Sequence, residues 1–216
     1  MIISYFFPPC NLTAGQRTQS WAVNLHKYGF YPIVITRRWD HHVKTIKDAS
    51  IHSKGDYYYD KKEGYEVHYV PYKGNFRDRY YARNGEAKGA WLRRSLSVYE
   101  LVVQNFLPSV SPIWSIYKFT CSLLQKQRNI KKVIISGNPF IQFAFGYYLQ
   151  RKFSIKWLAD YRDAWTTSEI NARERSALYK LLNPLERAAE KKWVRTAQRI
   201  SSVSPPLSQG IANLVG

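Results

Sequence analysis

The residues from Ile2 to Thr36 leave few folds open to this chain. Ile2–Phe7 is a short apolar run closed by Pro8 and Pro9, the pattern of a strand buried on both faces in a parallel sheet. Asn11–Ala14 is rich in turn formers. Gly15–Tyr28 then carries Trp21, Ala22, Leu25 and Tyr28 at helical spacing and ends at Gly29. Pro32–Thr36 is a second, β-branched strand. Strand, loop, helix, glycine and strand make a βαβ unit, which closes right-handed onto a parallel sheet.

The alternation continues to the end of the chain. Arg38–Gly64 is polar and irregular, with a turn or short hairpin around Tyr57–Tyr59, and Tyr65–Tyr72 alternates like a third strand. Lys73–Lys88 reads as a basic, tyrosine-rich loop. Helices are predicted over Trp91–Leu107 and Ile113–Arg128, separated by Pro108 and Pro112. Lys132–Ser136, Ile155–Tyr161 and Arg199–Val203 read as strands. Pro139–Arg151, Asn171–Thr196 and a segment opening at Pro205 read as helices. The expectation is one Rossmann-like α/β domain over residues 1–216, a doubly wound, mainly parallel sheet with helices on both faces.

Charge narrows the partner. Lysine and arginine total 33 against 15 acidic residues, a formal net charge of +18. Such a field favours nucleic acid, an acidic membrane surface or a phosphorylated small molecule. A nucleic-acid reader needs a continuous basic face with stacking aromatics. Here the basic residues are spread through loops and helices, and no known reader motif appears, so nucleic acid is the less favoured partner. Cys10 and Cys121 form neither a metal spacing nor a disulfide framework and fit free thiols in a reducing cytosol. The apolar N-terminus lacks a basic leader, so it reads as a strand and not as a signal peptide. No segment reaches the roughly 20 apolar residues of a membrane span. The expected location is cytoplasmic, with any membrane contact peripheral.

Ligands of open α/β sheets bind outside the C-terminal ends of the strands, which here are Pro8–Arg17, Ser136–Phe140, Asp160–Trp165 and Ser204–Pro206. At the first, Gly15 allows a close backbone approach, the helix start offers free N–H groups, and Arg17 can contact a phosphate. The sequence carries no G-x-G-x-x-G and no Walker A motif. At the third, Asp160 and Asp163 flank Arg162. They suit acid–base or hydroxyl-orienting work, or else one of them forms a structural ion pair with Arg162. Ser136 and Asn138 precede one helix and Ser204 another, either as caps or as ligand contacts. His41 and His42 beside Asp40 read as solvated loop. His26 and His68 have no partner visible in the sequence. No metal site is expected.

Trp91–Arg128 has a pattern of its own. Leu92, Leu96, Tyr99, Val103 and Phe106 share one helical face, with Arg93, Ser97, Glu100 and Gln104 opposite. Ile113, Ile116, Thr120 and Leu123 repeat it, opposite Ser115, Lys118, Ser122 and Lys126. Two readings fit. One is a helical hairpin on an anionic bilayer, with Trp91, Arg93, Arg94, Trp114, Tyr117 and Lys118 as contacts and the basic loop Arg77, Arg79, Arg83 and Lys88 in support. The other is a pair of helices packed on the sheet.

Several segments taken in order carry a resemblance. They are Tyr5-Phe6-Phe7-Pro8-Pro9, Ala14-Gly15-Gln16-Arg17, Trp21–Leu25, Gly29, Pro32–Thr36, Trp157–Trp165 and Ile200–Ser204. Together they resemble the N-terminal domain of retaining glycosyltransferases of the GT-B fold, the glycosyltransferase 4-like (group 1) families that build bacterial surface polysaccharides. Ala14-Gly15 departs from the glycine pair of many members. The resemblance implies the acceptor-side half of a two-domain enzyme, with the nucleotide-sugar-binding domain absent from this chain. It implies sugar transfer with retention to a saccharide or lipid-linked acceptor, without metal or cofactor. It also implies a fragment that does not turn over by itself. On that basis Gly15 and Arg17 border the donor phosphates, while Asp160, Arg162 and Asp163 face the acceptor as catalytic candidates. Ser136, Asn138, Trp165 and Ser204 complete the substrate-binding set.

Overall fold

The computed structural model describes residues 1–40, 42–43, 46–85, 89–167 and 177–216. The chain divides into two compact units, Met1–Arg128 and Asn129–Gly216. Both are α/β, flanked by helices, and the arrangement is Rossmann-like.

In the N-terminal unit, β1 (Ile2–Ser4), β2 (Ile33–Arg37), β3 (Tyr58–Lys62) and β4 (Tyr65–Val70) lie in the order β3-β4-β2-β1. β1 runs parallel to β2, with Ile3 opposite Ile35, and β2 runs parallel to β4, with Ile35 opposite His68. Only β3 is antiparallel, closing a hairpin with β4. Strand β1 ends three residues earlier than its apolar run, and a cis Pro8–Pro9 bond follows in the loop. Helix α1 (Gln16–Asn24) passes into a 3-10 turn over Leu25–Tyr28, and Gly29 stops it at φ 78°. A side chain is rarely tolerated in that left-handed region. The buried side of α1 is Thr18 and Ala22, while Tyr28 is 75% exposed, so the apolar face expected to include Tyr28 is narrower than its letters.

The segment expected as a loop over Lys73–Lys88 contains helix α2 (Phe76–Asn84). A capping box starts it: the Asn75 side chain accepts from the Asp78 N–H, and Asp78 accepts from the Asn75 N–H. The Tyr72 hydroxyl donates to Asp78 Oδ2 at 2.6 Å and ties the cap to the end of β4. Lys88 lies outside the described residues. Helix α3 (Ala90–Phe106) and helix α4 (Trp114–Lys126) follow as expected. Cys10 and Cys121 are both buried free thiols.

In the C-terminal unit, β5 (Lys132–Ser136), β6 (Lys156–Tyr161) and β7 (Arg199–Ser202) form a parallel set in the order β5-β6-β7. Helix α5 (Phe143–Phe153), helix α6 (Ala177–Val194) and helix α7 (Pro205–Val215) alternate with them. The predicted start of α6 at Asn171 lies outside the described residues. Trp157, Tyr161, Phe143, Phe145 and Trp193 are each at most 2% exposed and make an aromatic core. Among the described residues no helix is long and apolar enough to cross a membrane.

Candidate functional site

The exit of β1 is held by hydroxyls. Thr18 Oγ1 donates to the Gly15 carbonyl at 3.1 Å, and Ser4 Oγ donates to the Phe6 carbonyl at 2.7 Å. Gly15 sits at the N-terminus of α1 with φ −82°, a value open to any residue. Its need to be glycine is one of space. A Cβ there would stand 3.3 Å from Phe7 Cα and 3.4 Å from the Phe6 carbonyl. The close approach is thus to the chain's own backbone. No side chain caps α1, which continues a 3-10 turn over Thr13–Gly15, and the N–H of its first residue, Gln16, donates to the Thr13 carbonyl. Arg17 is half-exposed one position into that helix.

Beside this loop lies an arrangement that no sequence pattern singled out. Arg37, the last residue of β2, is 1% exposed. Its guanidinium lies 3.9 Å from the Trp39 ring centroid and 3.8 Å from that of Tyr72. It donates to the Tyr5 hydroxyl and, at 2.5 Å each, to the Ala49 and Ile51 carbonyls. Rings and carbonyl dipoles hold this buried cation. His68 also has partners, which were not visible in the sequence. Its Nδ1 lies 2.9 Å from the Tyr57 hydroxyl and its Nε2 3.3 Å from Glu66 Oε1. Burial holds the imidazole pKa below its usual value, against the pull of Glu66. Glu66 stands two residues earlier on the same strand, and Tyr57 comes from just before β3. Asp40 accepts from Arg38 at 2.6 Å and from the Lys54 N–H at 2.7 Å. His41 lies outside the described residues, and His42 is exposed.

In the C-terminal unit three of the predicted segments come together at neighbouring strand ends. Ser136 stands opposite Asp160 across β5 and β6, and Asp160 opposite Ser201 across β6 and β7. Asp160 is fully buried, and Ser136 Oγ donates to its Oδ2 at 3.0 Å. Asn138, at φ 69°, precedes a cis peptide bond to Pro139. Beyond the strand end, Arg162 donates from Nε and Nη2 to Asp163 Oδ2 at 3.0 and 2.8 Å. These two side chains are 28% and 52% exposed. The three charged candidates therefore separate into one buried carboxylate and one accessible ion pair.

Trp165 is a wall. It stacks on Phe140 at 5.2 Å and on Trp193 at 5.8 Å, and its Nε1 donates to Glu186 at 3.2 Å. Next to it is a second group that the sequence hid. Glu190 is fully buried on α6. It accepts from the Tyr161 hydroxyl at 2.8 Å, the Thr166 N–H at 3.3 Å and the Thr166 hydroxyl. Burial raises its carboxyl pKa above the usual range, although those donors favour the charged form. Glu190 fastens the loop after β6 to α6.

A search of protein-family models finds no match to the chain, and a search of curated proteins finds none either.

At the end of β7, Ser204 caps α7 by accepting from the Leu207 N–H at 3.4 Å. Ser202, Val203, Ser204, Pro205, Ser208, Gln209 and Ala212 line an open groove of about 590 Å³ there, within the size range of small-molecule sites. Its polar lining is hydroxyl and carboxamide, suited to a ligand that both donates and accepts hydrogen bonds. Among the described residues no group of three or more His, Cys, Asp or Glu is placed to hold a metal ion.

Proposed function

We propose that this chain is the acceptor-side half of a retaining, GT-B-type glycosyltransferase. It works with a nucleotide-sugar donor on a saccharide or lipid-linked acceptor in bacterial surface polysaccharide synthesis. The observation that carries this reading is the alignment of polar groups at the ends of β5, β6 and β7. Ser136 with Asp160, the accessible Arg162–Asp163 pair and the serine-lined groove follow one another across adjoining parallel strands. That is where α/β sheets bind ligands, and hydroxyls, a carboxamide and an ion pair match a polyhydroxylated or phosphorylated molecule.

In this reading the acceptor hydroxyl attacks the anomeric carbon as the bond to the diphosphate breaks. The acceptor proton passes to the departing diphosphate. Charge builds on that leaving group and calls for a cation, the role that the resemblance gives to Arg17. Asp163 and Arg162 orient acceptor hydroxyls. Asp160 is a positioning residue, held off solvent and fixing the β5 end through Ser136. Nucleoside diphosphate release by the full gene product tests this. Arg17→Ala and Asp163→Ala should each lower kcat/KM, the first by roughly 10²-fold as for loss of an oxyanion donor. Wild-type rates in both would remove the site. Salt-dependent binding of DNA or RNA without any transfer would favour the alternative of a basic, non-catalytic binding domain.

A further inference from the structure

Helix α3 keeps bulky rings outside. Its polar side faces the protein. Arg93 lies over the Tyr81 ring at 4.9 Å, and Glu100, whose side chain is 12% exposed, receives Arg77 Nε at 3.1 Å and Gln104 Nε2 at 2.5 Å. The other side presents Trp91, Tyr99 and Phe106, which are 73%, 67% and 72% exposed. Leu107 and Val110, also exposed, continue the apolar surface past the helix end. None of the 17 residues of α3 is buried. Large rings exposed along one side of a helix mark a contact site.

Charge and ring chemistry select the occupant. Both acids of α2 and α3, Asp78 and Glu100, are drawn into ion pairs with Arg77. The exposed charged residues on these two helices are Arg79, Arg83 and Arg94, all cationic. Tryptophan and tyrosine, with an apolar body and a polar edge, suit the headgroup layer of a bilayer. A second copy of this chain would bring a net charge of +18 against +18, which repels. We infer that α3 lies flat on an anionic bilayer, with Trp91, Tyr99 and Phe106 in the interface and the arginines of α2 and α3 supplying attraction to lipid phosphates. The inference concerns binding and stands apart from the sugar-transfer reading.

Cosedimentation of the 216-residue chain with phosphatidylglycerol–phosphatidylcholine vesicles tests it. The chain should bind these vesicles and not pure phosphatidylcholine. Combined Trp91→Ser, Tyr99→Ser and Phe106→Ser should weaken binding by about tenfold or more, through lost apolar insertion. Combined Arg79→Gln, Arg83→Gln and Arg94→Gln should weaken it by about fivefold per charge and flatten its salt dependence. Tyr28→Ser, at an aromatic 75% exposed elsewhere in the unit, should leave binding unchanged. Circular dichroism should match wild type in all variants. Wild-type vesicle binding by the aromatic triple variant overturns the inference, as does equal affinity for neutral vesicles or none for anionic ones. A concentration-dependent dimer that the triple variant abolishes would assign the stripe to a second copy and overturn it too.

Discussion

Helix α4 sets Ile116, Thr120, Cys121, Leu123 and Leu124 inward against β2 and β4, whereas α3, a turn longer, has no fully buried residue. The two helices carry similar amphipathic patterns. They differ in what waits on each side. For α4 the nearby surface is apolar sheet, and each side chain buried there contributes about 1.5–3 kcal/mol. For α3 the nearby surface is α2, which offers the Arg77 guanidinium and the Tyr81 ring. A glutamate and an arginine find partners on that side, so the polar stripe turns in and the aromatic stripe turns out. An amphipathic pattern states that two faces differ. It does not state which face is covered.

The comparison can be broken most directly at α4. Ile116 is 1% exposed, and Ile116→Ala should cost about 2–4 kcal/mol in urea unfolding, for lost transfer energy and a cavity. A loss below about 1 kcal/mol would mean that α4 is no better packed than α3. A smaller effect tests the inward polar side of α3. Burial raises the Glu100 carboxyl pKa, outweighing the attraction of Arg77. The folded state then binds this proton more tightly than the unfolded one. That contribution to stability is complete below the ordinary carboxylate pKa of 4.5 and is lost as pH rises through the folded value. Glu100→Gln should remove this decline from the pH–stability profile. An unchanged profile would show that the polar side of α3 is not desolvated. The smallest effect belongs to the outward stripe. Phe106→Ser should change stability by no more than about 0.5 kcal/mol, measured by thermal melting. A loss above about 1 kcal/mol would show the stripe to be covered within the chain.

The strands were legible because their signal is local. Ile33–Arg37, Lys132–Ser136 and Arg199–Ser202 stand within a residue of the apolar runs that announced them. Helix α2 was harder. Phe76–Asn84 is rich in arginine and tyrosine and has little apolar periodicity, and its one written signal is the capping pair Asn75 and Asp78. At the candidate site, the loops bearing Ser136, Asp160, Arg162 and Ser204 could be chosen by their place after strands. Their separation into a buried Asp160 and an accessible Arg162–Asp163 pair could not. Arg37, His68 and Glu190 resemble the many other charged or polar residues near them. Arg37 becomes a buried cation only when Tyr5, Trp39, Tyr72 and two carbonyls 12 and 14 residues away close around it.

The sequence by itself determined the alternation of strands and helices, the basic charge and the amphipathic character of α3 and α4, because periodicity and composition are properties of neighbouring residues. Only the tertiary structure decided that Glu190 fastens the loop after β6, that Asp160 lies out of reach of solvent and that α3 keeps its aromatic stripe outside. The reason is physical: the cost of burying a charge or the gain from burying a ring depends on the partner that meets it, and those partners arrive from distant parts of the chain.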